Sequence, residues 1–391
     1  PESVKWNQLI SSLQSLSKSF GFEEIKTPII ENLDLFKQNV GFETDVSKEM
    51  FSWEDSSNNY LALKPEMTAP VVRAFIESGF FRSKPLCKLF YIDALFRREK
   101  PQKGRQRQFH QFGVEAFGSS EIEQDIEVIL IATKVLCHLG IDNTVLQINN
   151  IGSKDTRMLY QDKLSKYFTS YKSKLSKISL KRLEINPLRI LDSKEEIDLE
   201  IIDGAPLITE FLSKDEHSKY LNLLSHLNAL NISYQENGRL VRGLDYYNST
   251  TFEISTLSSK SQNALLGGGR YDYLVESMGG PAPPAVGFAA GIERLMIESN
   301  FTISKERVDF FIGYESQSEK IMSIANQLID NGYNVFIDTL KKSEKSQIKS
   351  AIKLNAKYFL RINDKIILKD LHSKKEFEVN SLNQIKDSID K

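Results

Sequence analysis

Two cysteines in 391 residues leave no room for a disulfide framework. Cys87 and Cys137 belong to no CxxC and stand beside no histidine cluster, so the usual zinc spacings are absent as well, and this usage suits a reducing compartment. Excess charge is also lacking: the formal net charge is −1, so any attraction to a polyanion must come from local patches. Long apolar runs are missing. The most apolar stretch, Ile126 to Leu139, is interrupted by Lys134 and falls short of the ~18–20 residues a membrane span needs. The N-terminus carries no signal-peptide pattern, and a cytoplasmic protein with no membrane attachment is the expectation. Residue 1 is proline, so the natural start is expected to be missing. Neither GxxxxGK[ST] nor GxGxxG occurs, which removes the two commonest glycine-loop phosphate sites.

What is present divides by texture. The length allows two or three domains, each with its own core. Trp6, Leu9, Ile10, Leu13, Leu16 and Phe20 recur at helical spacing and Gly21 follows where a helix would stop. Lys88 to Phe96 and Arg107 to Gly118 read as paired strands around a loop containing Pro101 and Gly104. The stretch from about 155 to 230 is rich in Lys, Leu and Ser, helical in period and poor in glycine, and reads as a helical insertion. From about 306 the order is strand (Val308 to Gly313), helix (Ser316 to Asn331), strand (Asn334 to Leu340), helix (Glu344 to Asn355), strand (Lys357 to Ile362). That alternation predicts a small α/β domain with a largely parallel sheet.

Several segments offer chemistry, each beside a plainer reading. In FRREKPQKGRQRQFHQFGVE, 96–115, no acid lies between Glu99 and Glu115, while Lys100, Lys103, Arg105 and Arg107 crowd the loop. Either an anion comes to it or it is a solvated basic turn. Arg97 opens that loop from an apolar strand, where a charge needs a partner. In LKPEMTAPVVRAF, 63–75, Glu66 and Thr68 could receive an ammonium group, or Thr68 could cap a helix with Glu66 favoured in its first turn. LLGGGRYDYL, 265–274, and AVGFAAGIERL, 285–295, read as glycine-rich segments leading into helices, open to close ligand approach or to tight packing. RGLDYYNSTTFEI, 242–254, places Arg242 and two tyrosines at the mouth of a predicted strand.

Together these segments resemble the class II aminoacyl-tRNA synthetases, and within them the histidyl-tRNA synthetases. GFEEIKTPIIENLDLF is similar to the first class motif, FRREKPQKGRQRQFHQFGVE to the second and GFAAGIERL to the third. RGLDYYNSTTFE and LGGGRYD resemble the two segments peculiar to the histidine enzymes, and the likeness runs from residue 1 to about 362 before thinning. The resemblance implies an α/β fold: a catalytic domain, 1–302, with an antiparallel sheet flanked by helices and an insertion at about 155–230, then an anticodon-binding α/β domain, 306–391. It implies a homodimer formed through the first motif around Pro28. The implied reaction joins L-histidine to ATP as histidyl-adenylate, releases pyrophosphate and passes histidine to the 3′ end of tRNA(His).

The same resemblance assigns roles. A neutral imidazole has one N–H donor and one bare nitrogen, so it needs two different partners. Glu115 would accept from the N–H and Tyr247 would donate to the other nitrogen, with Glu66, Thr68 and Gln111 receiving the α-ammonium and Met67 and Tyr246 lining the pocket. Phe109 and Arg294 would sandwich adenine. Glu99 would accept from its amino group, and Arg97 and Arg242 would hold the α-phosphate. Gln102, Lys103, Arg105 and Arg107 would meet the tRNA acceptor end. Mg²⁺ would arrive with ATP, no dedicated metal cage being evident. In the last domain Lys345, Lys349, Lys353, Lys357 and Arg361 recur every four residues, as a nucleic-acid surface or a solvated face. The rival is the inactive regulatory subunit of ATP phosphoribosyltransferase, which shares the catalytic-domain fold but lacks the α/β unit and usually an intact RGLDYYN. Synthetases for threonine, proline or glycine are disfavoured by Glu115 with Tyr246 and Tyr247.

Overall fold

A computed structural model of the chain describes residues 2–40, 49–99, 106–241, 246–257, 264–300, 308–314, 319–363 and 365–389. Its contacts divide into two compact units, Lys5–Thr302 and one built on Ile303–Lys391.

The first helix, Glu2–Ser19, buries Leu9 and Leu13 on its apolar face, and Gly21 follows at φ 78°, a conformation a Cβ would strain. Beyond it the larger unit is organised by one sheet. Its strands are β1 (Glu23–Glu24), β5 (Cys87–Phe96), β6 (Gln108–Phe117), β7 (Thr144–Asn150), β8 (Gln235–Glu236), β9 (Asn248–Thr256), β10 (Ala264–Arg270) and β11 (Ala285–Gly291). Among the described residues the order is β1-β5-β6-β11-β10-β9-β7-β8, antiparallel throughout the middle and parallel only at the two short outer strands.

Both faces of this sheet are covered, which is why β6 ends in the unbroken buried run Phe112 to Phe117. On one face Phe112, Val114, Phe252 and Phe288 pack against the helices Glu2–Ser19 and Ile122–His138, through Leu9, Leu13, Ile129 and Val135. On the other, Leu89, Tyr91 and Phe117 meet the helix Thr68–Glu77 through Val71, Val72 and Phe75. Side chains alternate along a strand. The odd-numbered residues of β5 and β6 therefore share the second face, which carries Phe109, Gln111 and Glu115. Helices Lys154–Ser170, Lys177–Ile185, Glu196–Asp203 and Lys214–Ala229 form the expected insertion. A small sheet of β2 (Ile30–Asn32), β4 (Tyr60–Leu63) and β3 (Ser52–Glu54) completes this unit.

Two of the open readings resolve here. The glycine-rich stretches at 265 and 285 are interior strands, β10 and β11, that lead into the helices Leu274–Ser277 and Ile292–Glu298, and tight packing fills the space a Cβ would take. A Cβ on Gly268 would lie 2.1 Å from the Gly287 carbonyl oxygen. Thr68 does not cap its helix. Glu66 does so, its two carboxylate oxygens accepting from the N–H groups of Thr68 and Ala69 at 2.8 and 2.9 Å.

The smaller unit contains β12 (Phe310–Gly313), β13 (Val335–Ile337), β14 (Tyr358–Ile362), β15 (Ile366–Asp370) and β16 (Glu376–Val379), ordered β13-β12-β14-β15-β16. The first three are parallel and joined by helices Glu319–Asp330 and Glu344–Lys353. β15 and β16 add as antiparallel strands, so the sheet is mixed rather than largely parallel. The chain after Ile362, where the resemblance thins, belongs to this unit's core: Leu368, Val379 and, from the helix Leu382–Ile389, Ile385 enter it.

Candidate active site

The site face of the larger unit is built outward from Glu115. On β6 this residue lies between Leu89 of β5 and Gly287 of β11. A Cβ at residue 287 would sit 1.9 Å from the Glu115 Oε2, so glycine there is what admits the carboxylate. The carboxylate is 1% exposed. Thr68 Oγ1 donates to its Oε1 at 2.9 Å and the Tyr271 hydroxyl donates to its Oε2. The Tyr91 hydroxyl, packed over Gly113, is buried beside it without a hydrogen bond of ordinary geometry. Burial pushes the Glu115 carboxyl up to about 8, with the neighbouring Glu66 adding to the rise and the hydroxyl donors opposing it. Burial likewise carries Tyr91, Tyr246 and Tyr271 well above the ordinary phenol range.

Glu66 forms the second wall. Burial raises its carboxyl to about 7 despite two backbone donors and the charge of Arg97. Met67, 1% exposed, touches Thr27 from below the same turn. Tyr246 and Tyr247 close the pocket, their ring centres 4.7 Å apart, and Tyr246 meets Tyr271 at 5.7 Å. Arg157, from the first insertion helix, donates to the Tyr247 carbonyl. The result is a buried cluster with two carboxylates, several hydroxyls and an aromatic rim, suited to a small ligand that brings hydrogen-bond donors of its own.

Arg97 stands at the end of β5 beside this pocket. Its Nε donates to the Pro65 carbonyl at 2.8 Å, its Nη1 lies 3.7 Å from Glu99, and its guanidinium covers the Phe109 ring at 5.1 Å. The cation over Phe109 is thus Arg97. Arg294 instead donates to the Ala264 carbonyl, from the helix Ile292–Glu298 that follows Gly291, the cross-strand neighbour of Gln111. Glu293, next to Arg294, accepts from the His110 backbone N–H through both carboxylate oxygens at 3.0 Å. Gln111 is half-buried on the site face, and Arg107 is exposed at the strand's mouth, its carbonyl accepting from the Arg97 N–H at 2.9 Å. Arg242, Gln102, Lys103 and Arg105 lie outside the described residues.

The fold therefore gathers Glu66, Met67, Thr68, Glu115, Tyr246 and Tyr247 in one cluster, with Arg97, Glu99 and Phe109 in a second adjoining it. Tyr91, Tyr271 and Gly287 are additions that sequence reasoning missed. Tyr271 was within reach, since it lies in the LGGGRYD segment. In the smaller unit Lys345, Lys349 and Lys353 share one helix, but Lys357 lies over the Tyr358 ring and Arg361 sits on β14 paired with Glu344, so the lysine stripe ends with the helix.

The family model described as histidyl-tRNA synthetase matches residues 1–159 and 194–295. A histidine–tRNA ligase of Caldanaerobacter subterraneus is 40% identical over 391 residues, covering 97% of this chain and 94% of its own. A chloroplastic histidine–tRNA ligase of Gracilaria tenuistipitata is 41% identical, covering 93% and 87%. Among solved structures, apo histidyl-tRNA synthetase of S. aureus superposes with a TM-score of 0.81 at 31% identity, covering 100% of this chain and 97% of that one. An ATP phosphoribosyltransferase regulatory subunit/histidyl-tRNA synthetase from Bacillus halodurans shares the fold, with a TM-score of 0.64 at 21% identity. With a family model spanning well over half of its residues and relatives of this identity across nearly its whole length, the chain belongs to the histidyl-tRNA synthetase family.

Proposed function

We infer that this protein is a histidine–tRNA ligase: it activates L-histidine with ATP and transfers the histidyl group to the 3′ end of tRNA(His). The observation that carries the reading is the buried Glu115, held by two hydroxyls beside a second carboxylate and under a tyrosine rim. An imidazole N–H gives Glu115 a further donor, the Tyr247 hydroxyl serves the other ring nitrogen, and Glu66, Thr68 and Gln111 take the α-ammonium, with Met67 and Tyr246 bounding the space. A ligand without both ring functions leaves buried polar groups unpaired, a penalty that reaches ~10⁴-fold in discrimination.

In the first step a histidine carboxylate oxygen bonds to the α-phosphorus of ATP, the bond to the β-phosphate oxygen breaks, and pyrophosphate leaves. Arg97 and Arg242 offset the negative charge that gathers there. Phe109 and Arg294 hold the adenine ring and Glu99 accepts from its amino group. Mg²⁺ enters with the nucleotide as part of the substrate. In the second step a hydroxyl of the terminal ribose attacks the histidyl carbonyl and AMP departs. Gln102, Lys103, Arg105 and Arg107 meet the acceptor end, and the smaller α/β unit binds the anticodon. Ile30 and Trp53, 50% and 40% exposed on one face of the small sheet, support a homodimer closed over that face.

Histidine-dependent exchange of labelled pyrophosphate into ATP, run beside the other amino acids, tests the reading. Exchange with histidine alone is expected; exchange with threonine, proline or glycine, or none with histidine, overturns it. An inactive regulatory subunit gives no exchange at all, and the RGLDYYN segment and the α/β unit argue against that alternative.

A further inference from the structure

The two tyrosines nearest in sequence to the pocket's rim and floor come from strands whose ends meet at one side-chain pair, a buried Asn248 and a half-buried Asp272. Tyr247 immediately precedes Asn248, the first residue of β9, and Tyr271 lies between Arg270, the last residue of β10, and Asp272. Asn248 is 2% exposed and spends both ends of its amide on one residue: Nδ2 donates to Asp272 Oδ2 at 2.9 Å, and Oδ1 accepts from the Asp272 N–H at 2.7 Å. The other oxygen of Asp272 accepts from the Ala285 N–H at 2.9 Å and from Arg270 Nη1 at 3.2 Å. Arg270 is itself anchored to Asp125 and, at 2.9 Å, to the Ser119 carbonyl. Tyr271 is therefore fixed through both of its chain neighbours.

Tyr247 is held less regularly: Arg157 donates to its carbonyl, and the β9–β10 ladder beside it is broken. Where β9 runs from Thr251 to Asn248, β10 advances only from Gly269 to Arg270, and Ser249 within that bulge adopts φ 51°. A bulge of this kind redirects the chain on the β10 side, while on the β7 side Ser249 still bonds to Ile151 and Gly152. The Asn248–Asp272 link is the side-chain connection that spans it.

We propose that Asn248 is a positioning residue for imidazole recognition: its reciprocal pair with Asp272 fixes the placement of Tyr247 relative to Tyr271 and the Glu115 that Tyr271 holds. The inference rests on the histidine-pocket reading above. Histidine discrimination then depends on a donor–acceptor polarity in the pair, not on the volume of either residue.

That polarity can be reversed. Asn248→Asp sets two carboxylates face to face and Asp272→Asn sets two amides face to face, each nearly isosteric. In the double variant the amide nitrogen now carried at position 272 donates to the carboxylate now carried at position 248, while the amide oxygen at position 272 still faces Ala285 and Arg270. Steady-state pyrophosphate exchange should show each single variant raising KM for histidine about tenfold or more, as a displaced binding group does, with KM for ATP within about twofold of the parent. The double variant should recover most of the loss. Parental KM for histidine in the single variants, equal rises for histidine and ATP, or a double variant as impaired as its singles combined overturns the inference. Circular dichroism melts accompany each protein. If a single variant does not fold, the folded double decides: a near-parental KM for histidine supports the pairing, and a tenfold-raised one refutes it. Loss of histidine-dependent exchange in the parent itself would instead sink the histidine-pocket reading.

Discussion

Replacing Glu115 by glutamine should stabilise the unliganded protein at alkaline pH while abolishing its use of histidine. Among the described residues the buried carboxyl has hydroxyl donors and no paired cation, and its protonation midpoint rises from 4.5 to about 8. The folded state therefore binds more protons than the unfolded chain between those limits, so stability falls as pH rises through the interval and levels off above its upper end. Each tenfold change in proton affinity is worth ~1.4 kcal/mol, which bounds the full penalty at about 5 kcal/mol. Roughly 2 kcal/mol of it is lost between pH 6 and pH 8. Glutamine keeps the shape and an acceptor for Thr68 but cannot ionise, so its variant should lack this share of the slope. Glu66, raised to about 7 by burial, retains its own share, and the slope should shrink rather than vanish. Urea denaturation at pH 6 and pH 8.5 without substrates measures this. A variant less stable than the parent at pH 8.5, or a stability difference that does not change with pH, would refute the reasoning.

Three further outcomes follow from the site. Arg242→Ala should slow histidine-dependent pyrophosphate exchange by roughly 10²-fold and leave the circular dichroism spectrum unchanged; a near-parental exchange rate refutes the phosphate role. Gly287→Ala places a Cβ 1.9 Å from Glu115 Oε2 and 2.4 Å from the Val114 carbonyl oxygen, so it should cost about 1–3 kcal/mol of stability and raise KM for histidine; a parental KM in urea-sensitive but folded protein would show that the carboxylate has room to move. Ile30→Asp on the exposed face of the small sheet should convert a dimer to monomer in sedimentation velocity, and an unchanged sedimentation coefficient argues that another face closes the dimer.

Much of the site was legible through the resemblance, and the alternation of strand side chains accounts for why those residues share a face. Phe109, Gln111 and Glu115 share odd numbers on one strand, and Arg97 extends the same parity from its neighbour, so one face could carry all four once both strands were recognised. The glycines of β10 and β11 left two readings open because glycine signals a missing Cβ without saying whether a ligand, a turn or a neighbouring group takes the space. Strands β15 and β16 went unread because their alternation is diluted by lysine and glutamate. Those charges pair only across the hairpin, Lys369 with Glu376 at 2.8 Å and Lys365 with Glu378 at 2.9 Å.

The sequence by itself determined the helical stretch at about 155–230 and the α/β alternation near the C-terminus, since these depend on local period, and its motifs carried the resemblance to the family. Only the tertiary structure decided that Tyr271 holds Glu115, that Gly287 makes space for it, that the Arg97 guanidinium covers Phe109, and that Glu66 rather than Thr68 caps the helix. The first three depend on the register between strands or loops distant in the chain, which sheet pairing fixes and local periodicity does not encode. The last depends on how far a carboxylate reaches once the turn before the helix is folded, a matter of geometry that composition leaves open.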